Sequence, residues 1–85
     1  MLSVIIPAYN AAPTLGDCLR ALRQQSFAHD QYEVIVVDDG STDETAAMAE
    51  QCGARIVRQP KRGPAAARNL GVTQARGEVV LFTDA

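Results

Sequence analysis

Four short apolar runs, each separated from the next by a helical pattern, constrain the fold of this chain more than any other feature. They cover residues 2–6, 33–37, 55–57 and 79–82. The runs are continuous rather than alternating, which is typical of strands whose two faces are both covered, as in a parallel sheet. We therefore predict four buried parallel strands with helices packed on both faces of the sheet.

The first helical pattern follows a loop at residues 8–10. Pro13 suits the first turn of a helix, where its missing N–H leaves no hydrogen bond unmade. The apolar residues Leu15, Cys18, Leu19 and Leu22 recur at the spacing of one helix face, and polar residues take the opposite face. We expect this helix to pack on the sheet through its apolar side.

Two further helices are predicted from their end signals. Ser41 and Glu44 have the spacing of a capping box, with Ser41 at the N-cap and Glu44 at N3, and Gly53 is a good residue to end that helix. The third helix is predicted to cover residues 65–75. Within it, Gly71 is expected to permit close packing against the sheet.

The order of elements is therefore β-α-β-α-β-α-β. Right-handed crossovers between parallel strands then give a doubly wound, Rossmann-like α/β fold. Nothing within residues 1–85 marks a domain boundary, and the last apolar run ends close to residue 85. We expect one domain, the N-terminal part of a longer protein, truncated after its fourth strand. In the doubly wound order that strand lies beside the first, as an apolar edge that the truncation exposes.

Composition and charge exclude several classes of protein. The net charge is −2 and the pI is about 5.1, whereas a general nucleic-acid binder carries a broad basic surface. Cys18 and Cys52 have no metal-ligand spacing, so we expect buried thiols in a reducing compartment rather than a disulfide or a metal site. No apolar run approaches the roughly 18 residues of a membrane span. We expect a cytoplasmic protein, with any membrane association coming through the missing C-terminal part.

Three carboxylates are expected to meet where the strands end. In an open parallel sheet, ligands bind outside the carboxyl ends of the strands. Asp38 and Asp39 follow the second strand, and Asp84 follows the fourth. Crowded carboxylates are costly unless a cation or hydrogen-bond donors offset their charge. We therefore expect a divalent metal ion, the N–H groups of a nucleobase or sugar hydroxyls at this position.

Four sequence motifs carry a resemblance to a known family. They are VIIPAYN at residues 4–10, VVDDGSTD at 36–43, GPAAARNLG at 63–71 and FTDA at 82–85. In this order and spacing they resemble the opening of the family 2 glycosyltransferases, and the resemblance covers the whole chain. It implies the GT-A fold, a nucleotide-diphosphate sugar donor (often uridine-linked), a divalent cation, and inversion at the anomeric carbon.

The resemblance implies nucleotide contacts at the first two strand ends. Asp39 would accept the N3–H of uracil, a hydrogen bond that cytosine has no proton to donate at that position. Pro7, Ala8 and Tyr9 would line the base and ribose through their main chain and the Tyr9 ring. For Asp38 two roles are open: a contact with the ligand or a hydrogen bond within the turn. If these residues do not contact a nucleotide, Asp39 caps the turn into the second helix and Tyr9 packs within its loop.

The resemblance places the remaining contacts in the second half of the chain. Arg68 would reach the base or the diphosphate, while Lys61 and Arg62 are interpreted as a solvated pair that could steer an anionic donor. Asp84 would be the first aspartate of an Asp-x-Asp motif and would contact either the ribose of the nucleotide or the metal, a Mg²⁺ or Mn²⁺ ion that the diphosphate oxygens also bind. The second aspartate and the catalytic base would lie beyond this chain, so no catalytic residue is assigned within it.

Three alternatives stay open at this point. A nucleotidyltransferase with a related domain would need a Gly-rich, basic phosphate loop after the first strand, and residues 8–12 contain neither Gly nor Lys. A phospho-acceptor signalling receiver would carry its aspartate pair after the first strand, whereas here the pair follows the second. The third alternative is a nucleotide-binding fragment that is inactive by itself.

Overall fold

The computed structural model describes residues 1–24 and 31–83. Over these residues the strands and helices alternate in the predicted order. The strands are β1 (Leu2–Ala8), β2 (Tyr32–Asp39), β3 (Arg55–Gln59) and β4 (Val79–Phe82), and the helices are α1 (Ala12–Arg23), α2 (Thr45–Gln51) and α3 (Pro64–Gln74). The first three strands extend beyond the apolar runs at their carboxyl ends, so the polar residues that follow the runs are part of the sheet.

All four strands are parallel and lie in the order β3-β2-β1-β4. The register pairs Ala8 with Asp38 across β1 and β2, and it pairs Asp39 with Gln59 across β2 and β3. Because neighbouring strands lie about 4.8 Å apart, the ends of the first three strands form one edge of the sheet. The strand order confirms the predicted doubly wound α/β fold.

The helices cover both faces of the sheet. Side chains of β1 alternate between the faces, as the two-residue period of a strand requires. Val4 and Ile6 pack with α1 and α2, whereas Ile5 packs with α3. The predicted apolar face of α1 is confirmed, since Leu15 and Leu19 are buried in the first of these clusters. Burial of these aliphatic side chains supplies most of the driving force for folding.

Gly71 sets how closely α3 approaches the sheet. It is buried, and a Cβ at this position would overlap Cγ2 of Ile5 and lie 3.2 Å from its Cδ1. Ile5 is fully buried on a central strand, so it has no space into which to move. The predicted role of Gly71 in close packing is therefore confirmed. Gly53 follows the end of α2 with a φ of 81°, as expected of a glycine that ends a helix.

The predicted capping box at the start of α2 is wrong. The helix begins at Thr45, and Glu44 occupies the N-cap position without a side-chain cap hydrogen bond. Ser41 Oγ instead accepts the N–H of Asn10 at 2.9 Å. Asp43 accepts hydrogen bonds from both the N–H and the hydroxyl of Thr45. Ser41 therefore accepts a hydrogen bond from the loop after β1 instead of capping the helix. Asp43 makes the side-chain hydrogen bonds to Thr45 at the start of α2.

β4 forms beside β1, and the prediction of an exposed apolar edge strand is confirmed, whereas the prediction of burial from the apolar run alone is wrong. Val79, Leu81 and Phe82 are 61%, 50% and 44% exposed. Within the described part of the chain β4 pairs only with β1, and Val80 is its residue packed against the α3 side of the core. The apolar run thus identified a strand, while its burial depends on neighbours that composition does not reveal. In this structure β4 is an exposed apolar edge strand.

Cys18 and Cys52 are free thiols that are half-buried rather than buried, and both pack beside the core formed by α1 and α2. Burial raises the pKa of the Cys18 thiol, which favours its protonated, unreactive form.

In residues 1–24 and 31–83, no helix is both long enough and apolar enough to cross a membrane.

Candidate functional site

Three loops meet where the first three strands end. The first loop (residues 9–11) joins β1 to α1, the second loop (residues 40–44) joins β2 to α2, and the third loop (residues 60–63) joins β3 to α3. The strand register brings them side by side. We call these loops, with the last two residues of β1 and β2 and the last residue of β3, the carboxyl edge.

Asp39 holds the third loop in place. Its Oδ1 accepts the N–H of Arg62 at 2.8 Å and the side-chain amide of Gln59 at 2.7 Å. Its Oδ2 accepts the N–H of Gly63 at 3.0 Å. Asp39 is only 4% exposed, and Gly63 has a φ of 97°, which glycine adopts without a steric penalty. The carboxylate is therefore a fixed part of the carboxyl edge.

The Asp39 carboxylate is ionised as well as buried. Burial alone raises the pKa of a carboxyl group. The three hydrogen bonds outweigh burial, and the positive charge of Lys61 adds to them, so the pKa of Asp39 lies below its usual value. A carboxylate offers about four acceptor positions, and the donors from the chain fill three of them. Among the described residues, these three donors do not take the fourth position, which lies on Oδ2.

Lys61 lies where all three loops meet. A Cβ at Gly40 would lie 2.8 Å from the backbone nitrogen of Lys61, so the second loop passes close to the third. Gly40 has a φ of 76°. The Lys61 ammonium lies over the ring of Tyr9, 3.5 Å from the ring centroid. Tyr9 is 42% exposed. The aromatic ring of the first loop is therefore at the surface and in contact with a cation.

Asn10 joins the first loop to the second. Its Oδ1 accepts the N–H of Thr42 at 2.8 Å and that of Asp43 at 3.3 Å, while its own N–H donates to Ser41. Asn10 has a φ of 47°, in the left-handed region that asparagine tolerates better than most residues. These contacts fix the position of Tyr9, its neighbour in the chain, relative to the second loop.

Asp38 makes the turn hydrogen bond that was one of its two predicted roles. Its Oδ1 accepts the N–H of Ser41 at 3.1 Å. Asp38 is 4% exposed, because the second loop folds back over it. The other role, a ligand contact, stays a prediction.

The remaining predicted site residues are distributed along the same edge. Pro7 and Ala8 lie at the end of β1, directly before Tyr9. Arg68 lies half-buried in the second turn of α3, a helix that begins at the carboxyl edge. Asp84 lies outside the described residues. The structure therefore brings the predicted residues of the first two strands together and holds Arg68 in a helix that starts beside them, while their contacts with a nucleotide stay predictions.

Gln59 and Lys61 are the residues of the edge that the motifs did not reveal. Gln59 donates to Asp39, and Lys61, interpreted from the sequence as solvated, lies over Tyr9. No local pattern marks either contact, because both depend on how the third loop folds back over β2. The available signal is Gly63 before a helix-starting proline, which indicates a turn but not the partner of the loop.

The described residues do not by themselves form a metal site. Within residues 1–24 and 31–83, no three His, Cys, Asp or Glu side chains are grouped so that they could hold an ion. Asp39 binds three donors of the chain and Asp38 binds the second loop. A divalent ion at this edge would therefore depend on Asp84 and on oxygens of a ligand.

A cavity of about 510 Å³ lies at the opposite end of the sheet. Tyr32, Glu33 and Arg55, at the starts of β2 and β3, line it together with Arg23 and Arg76. Glu33 accepts the N–H of Arg76 at 2.6 Å and pairs with Arg55 at 3.7 Å. These charges join the sheet to the chain after α3, and we assign the cavity no ligand.

Comparison with known proteins identifies the family of the chain. The model of glycosyl transferase family 2 matches residues 3–85. Glycosyltransferase AglE of Haloferax volcanii is 39% identical over 88 residues, which cover 96% of this chain and 29% of AglE. The chain therefore spans less than a third of the length of this curated relative.

Two solved structures share the fold over almost the whole chain. TarS 1–349 of Staphylococcus aureus, in complex with UDP-GlcNAc, has a TM-score of 0.92 at 37% identity and covers 98% of this chain and 26% of the TarS chain. The mannosyltransferase PcManGT of Pyrobaculum calidifontis, in complex with GDP-Man and Mn²⁺, has a TM-score of 0.91 at 34% identity with the same coverage. These findings favour a glycosyltransferase over a nucleotidyltransferase or a signalling receiver. The chain belongs to glycosyl transferase family 2.

Proposed function

We propose that this chain is the nucleotide-binding part of a glycosyltransferase that moves a sugar from a nucleotide-diphosphate sugar, preferably a UDP-sugar, to an acceptor hydroxyl. The observation that carries the proposal is Asp39, a buried and ionised carboxylate at the carboxyl edge with one acceptor position left. Ligands of open parallel sheets bind at this edge. The likeness to proteins in complex with nucleotide sugars supports a nucleotide-sugar donor.

Asp39 would select nucleobases by their ring N–H. Uracil carries a proton on N3 between two carbonyl groups, whereas the corresponding nitrogen of cytosine carries none. The remaining position on Asp39 Oδ2 fits a single donor of this kind, and a charge-assisted hydrogen bond at a site with little water is strong. Tyr9 would offer an exposed ring on which the base stacks, and the main chain of Pro7 and Ala8 would lie beside the ribose.

A GDP-sugar is the second candidate donor. Guanine also carries a ring N–H, on N1, so a carboxylate accepts it by the same chemistry. The observation that favours it is the likeness to PcManGT in complex with GDP-Man. We place UDP first because uracil has one ring donor at this edge and Asp39 has one free acceptor position. Guanine brings an adjacent amino donor that would need a second acceptor.

The donor diphosphate would be held with a divalent cation, Mg²⁺ or Mn²⁺, and PcManGT is a relative in complex with Mn²⁺. Asp84 would provide a carboxylate oxygen for the cation, and the diphosphate would provide others. When bound, the cation supplies Lewis-acid stabilisation of the charge on the departing diphosphate. Arg68 would add a forked donor to the base or the diphosphate. The proposed transfer proceeds with inversion, because the acceptor hydroxyl attacks the anomeric carbon opposite the diphosphate.

The proposal assigns the acceptor site and the catalytic base to a part of a longer protein that this chain does not include. The chain covers 29% of AglE and 26% of the TarS structure. Residues 1–85 would then form one domain that binds the donor in the cytoplasm, and the remaining part would complete the reaction. By itself the chain would be a binding fragment without transferase activity.

Calorimetric titration of the full-length protein with UDP, CDP and ADP, each with Mn²⁺, tests the proposal. We expect UDP to bind more tightly than CDP or ADP, because only uracil among these bases offers a ring N–H to Asp39. Titration with GDP tests the second candidate. Equal affinities for UDP, CDP and ADP would contradict base selection by Asp39, and no binding of any nucleotide would contradict the proposed function as a whole.

A further inference from the structure

Lys61 combines features that a solvated surface lysine lacks. Its backbone passes close to Gly40, where a Cβ would lie 2.8 Å from the Lys61 backbone nitrogen. The next residue, Arg62, donates its N–H to Asp39 at 2.8 Å. The Lys61 ammonium lies 3.5 Å from the centroid of Tyr9. Both ends of this side chain are therefore positioned, although the residue itself is exposed.

We infer that Lys61 is a specificity-determining residue of the donor site that exchanges one partner for another when the donor binds. In the free protein its ammonium covers the Tyr9 ring. In the complex the nucleobase takes the place of the ammonium on the ring, and the ammonium pairs with the donor diphosphate. This inference rests on the proposed function, since it requires a nucleotide at the carboxyl edge.

The relative strengths of the two contacts with the ring support the exchange. A cation over an exposed aromatic ring contributes roughly a 2- to 5-fold factor to an equilibrium constant. A base stacked on an aromatic side chain contributes about a 5- to 150-fold factor. The base therefore displaces the ammonium from Tyr9, and the lost contact with Lys61 weakens base binding by the smaller factor.

The diphosphate is the partner left for the displaced ammonium. The backbone of Lys61 stays in place, because the Asp39 carboxylate accepts the N–H groups of Arg62 and Gly63. Among the described residues, Asp39 is an anion whose pKa the Lys61 charge helps to lower. Its last acceptor position is taken by the base in the complex. The donor diphosphate carries more negative charge than one carboxylate, so the lysine favours nucleoside diphosphates over bare nucleosides.

Binding of uridine and of UDP to the full-length Lys61→Ala protein tests the exchange. Alanine keeps the backbone and the Cβ that lie close to Gly40, and it removes both the charge and the part of the side chain that covers the ring. We expect uridine to bind about 2- to 5-fold more tightly than to the unchanged protein, because the ring is no longer covered. We expect UDP to bind about 3- to 10-fold more weakly, because the pairing with the diphosphate is lost. Opposite shifts are not expected from a purely structural lysine.

Control variants separate the exchange from other effects of charge. Arg20→Ala removes an exposed cation that pairs with Asp17 on α1, and it should leave both affinities unchanged. Lys61→Arg keeps a cation at the same position and should retain the preference of the unchanged protein. In a Tyr9→Leu background, Lys61→Ala should no longer tighten uridine binding, because there is no ring to uncover.

The outcomes distinguish this inference from the proposed function. If the unchanged protein binds UDP but Lys61→Ala shifts uridine and UDP in the same direction, or shifts neither, the exchange is wrong and the proposed function stands. If the unchanged protein binds neither uridine nor UDP, both are wrong. Only a tighter uridine complex together with a weaker UDP complex supports the inference.

Discussion

Replacement of Asp39 by asparagine removes the charge at the centre of the carboxyl edge with little change of shape. Asparagine has one acceptor oxygen and one amide group that only donates. If its oxygen replaces Oδ1, the amide group faces the N–H of Gly63; in the other orientation it faces Arg62 and Gln59. Either way a donor meets a donor, and the position left for uracil N3–H on Oδ2 is lost or weakened.

The expected magnitudes follow from these contacts. A buried donor left without an acceptor costs about 1–3 kcal/mol, so Asp39→Asn should lower the free energy of unfolding by about that amount. Loss of the charge-assisted hydrogen bond to the base should weaken UDP binding by about 1.5–3 kcal/mol, which is roughly 10- to 150-fold. Asp17→Asn is the matched control: Asp17 is exposed and pairs with Arg20 on the helix surface, so both quantities should change by less than about 0.5 kcal/mol.

The pH dependence of stability gives the sign of the Asp39 contribution. The pKa of Asp39 is lowered in the folded state, whereas an aspartate of the unfolded chain has a pKa of about 3.9. The contribution is therefore fully present above the unfolded value and is lost as the pH falls through the folded value. The difference in unfolding free energy between the unchanged protein and Asp39→Asn should shrink below about pH 4.

Denaturant unfolding and calorimetry together decide whether this reasoning holds. Asp39→Asn should weaken UDP binding more than CDP binding, because the lost acceptor serves the ring N–H of uracil. An equal loss for UDP and CDP would mean that Asp39 acts only by holding the third loop. Unchanged stability and unchanged UDP affinity would refute the whole argument about this carboxylate.

Three further predictions concern packing, the exposed strand and activity. Gly71→Ala should destabilise the full-length protein by about 1–3 kcal/mol, because the new Cβ overlaps Ile5. Gly16→Ala, whose Cβ would meet Met48 at 3.4 Å, should stabilise it by up to about 1 kcal/mol. Thermal unfolding measures both variants, and equal effects would contradict the packing of α3 on the sheet. Residues 1–85 alone should self-associate through Val79–Phe82, which sedimentation at several concentrations detects; a monomer at high concentration would contradict this. The same purified chain should form no glycoside from a UDP-sugar, so turnover above background would show that the chemistry lies within it.

The regular elements could be predicted because they depend on local patterns. The continuous apolar runs identified all four strands, and the spacing of Leu15 and Leu19 identified the buried face of α1. Gly71 could be predicted too, since a glycine inside a helix lowers helix propensity and often indicates close packing. These features follow from periodicity and from the conformational preferences of single residues.

The features that failed depend on contacts between distant parts of the chain. Ser41, Asp43 and Thr45 are all side chains that can bond to the backbone at a helix start, and Asn10 of another loop decides which hydrogen bond Ser41 accepts. Lys61 is exposed, as interpreted from the sequence, but nothing in the local sequence indicates its contact with the Tyr9 ring. The apolar run of β4 wrongly indicated burial, whereas the strand order, which places β4 at an edge beside β1, predicted its exposure.

A nucleotide bound at the carboxyl edge of the sheet would change the environment of the three loops there. Backbone amide chemical shifts of the isotope-labelled full-length protein, followed during titration with UDP and Mg²⁺, detect such changes residue by residue. We predict that, within residues 1–24 and 31–83, the largest shift changes fall in residues 8–11, 38–44, 59 and 61–63, with smaller changes in the first turns of α3. Changes concentrated instead around Tyr32, Arg55 and Arg76, at the opposite end of the sheet, would contradict nucleotide binding at the carboxyl edge.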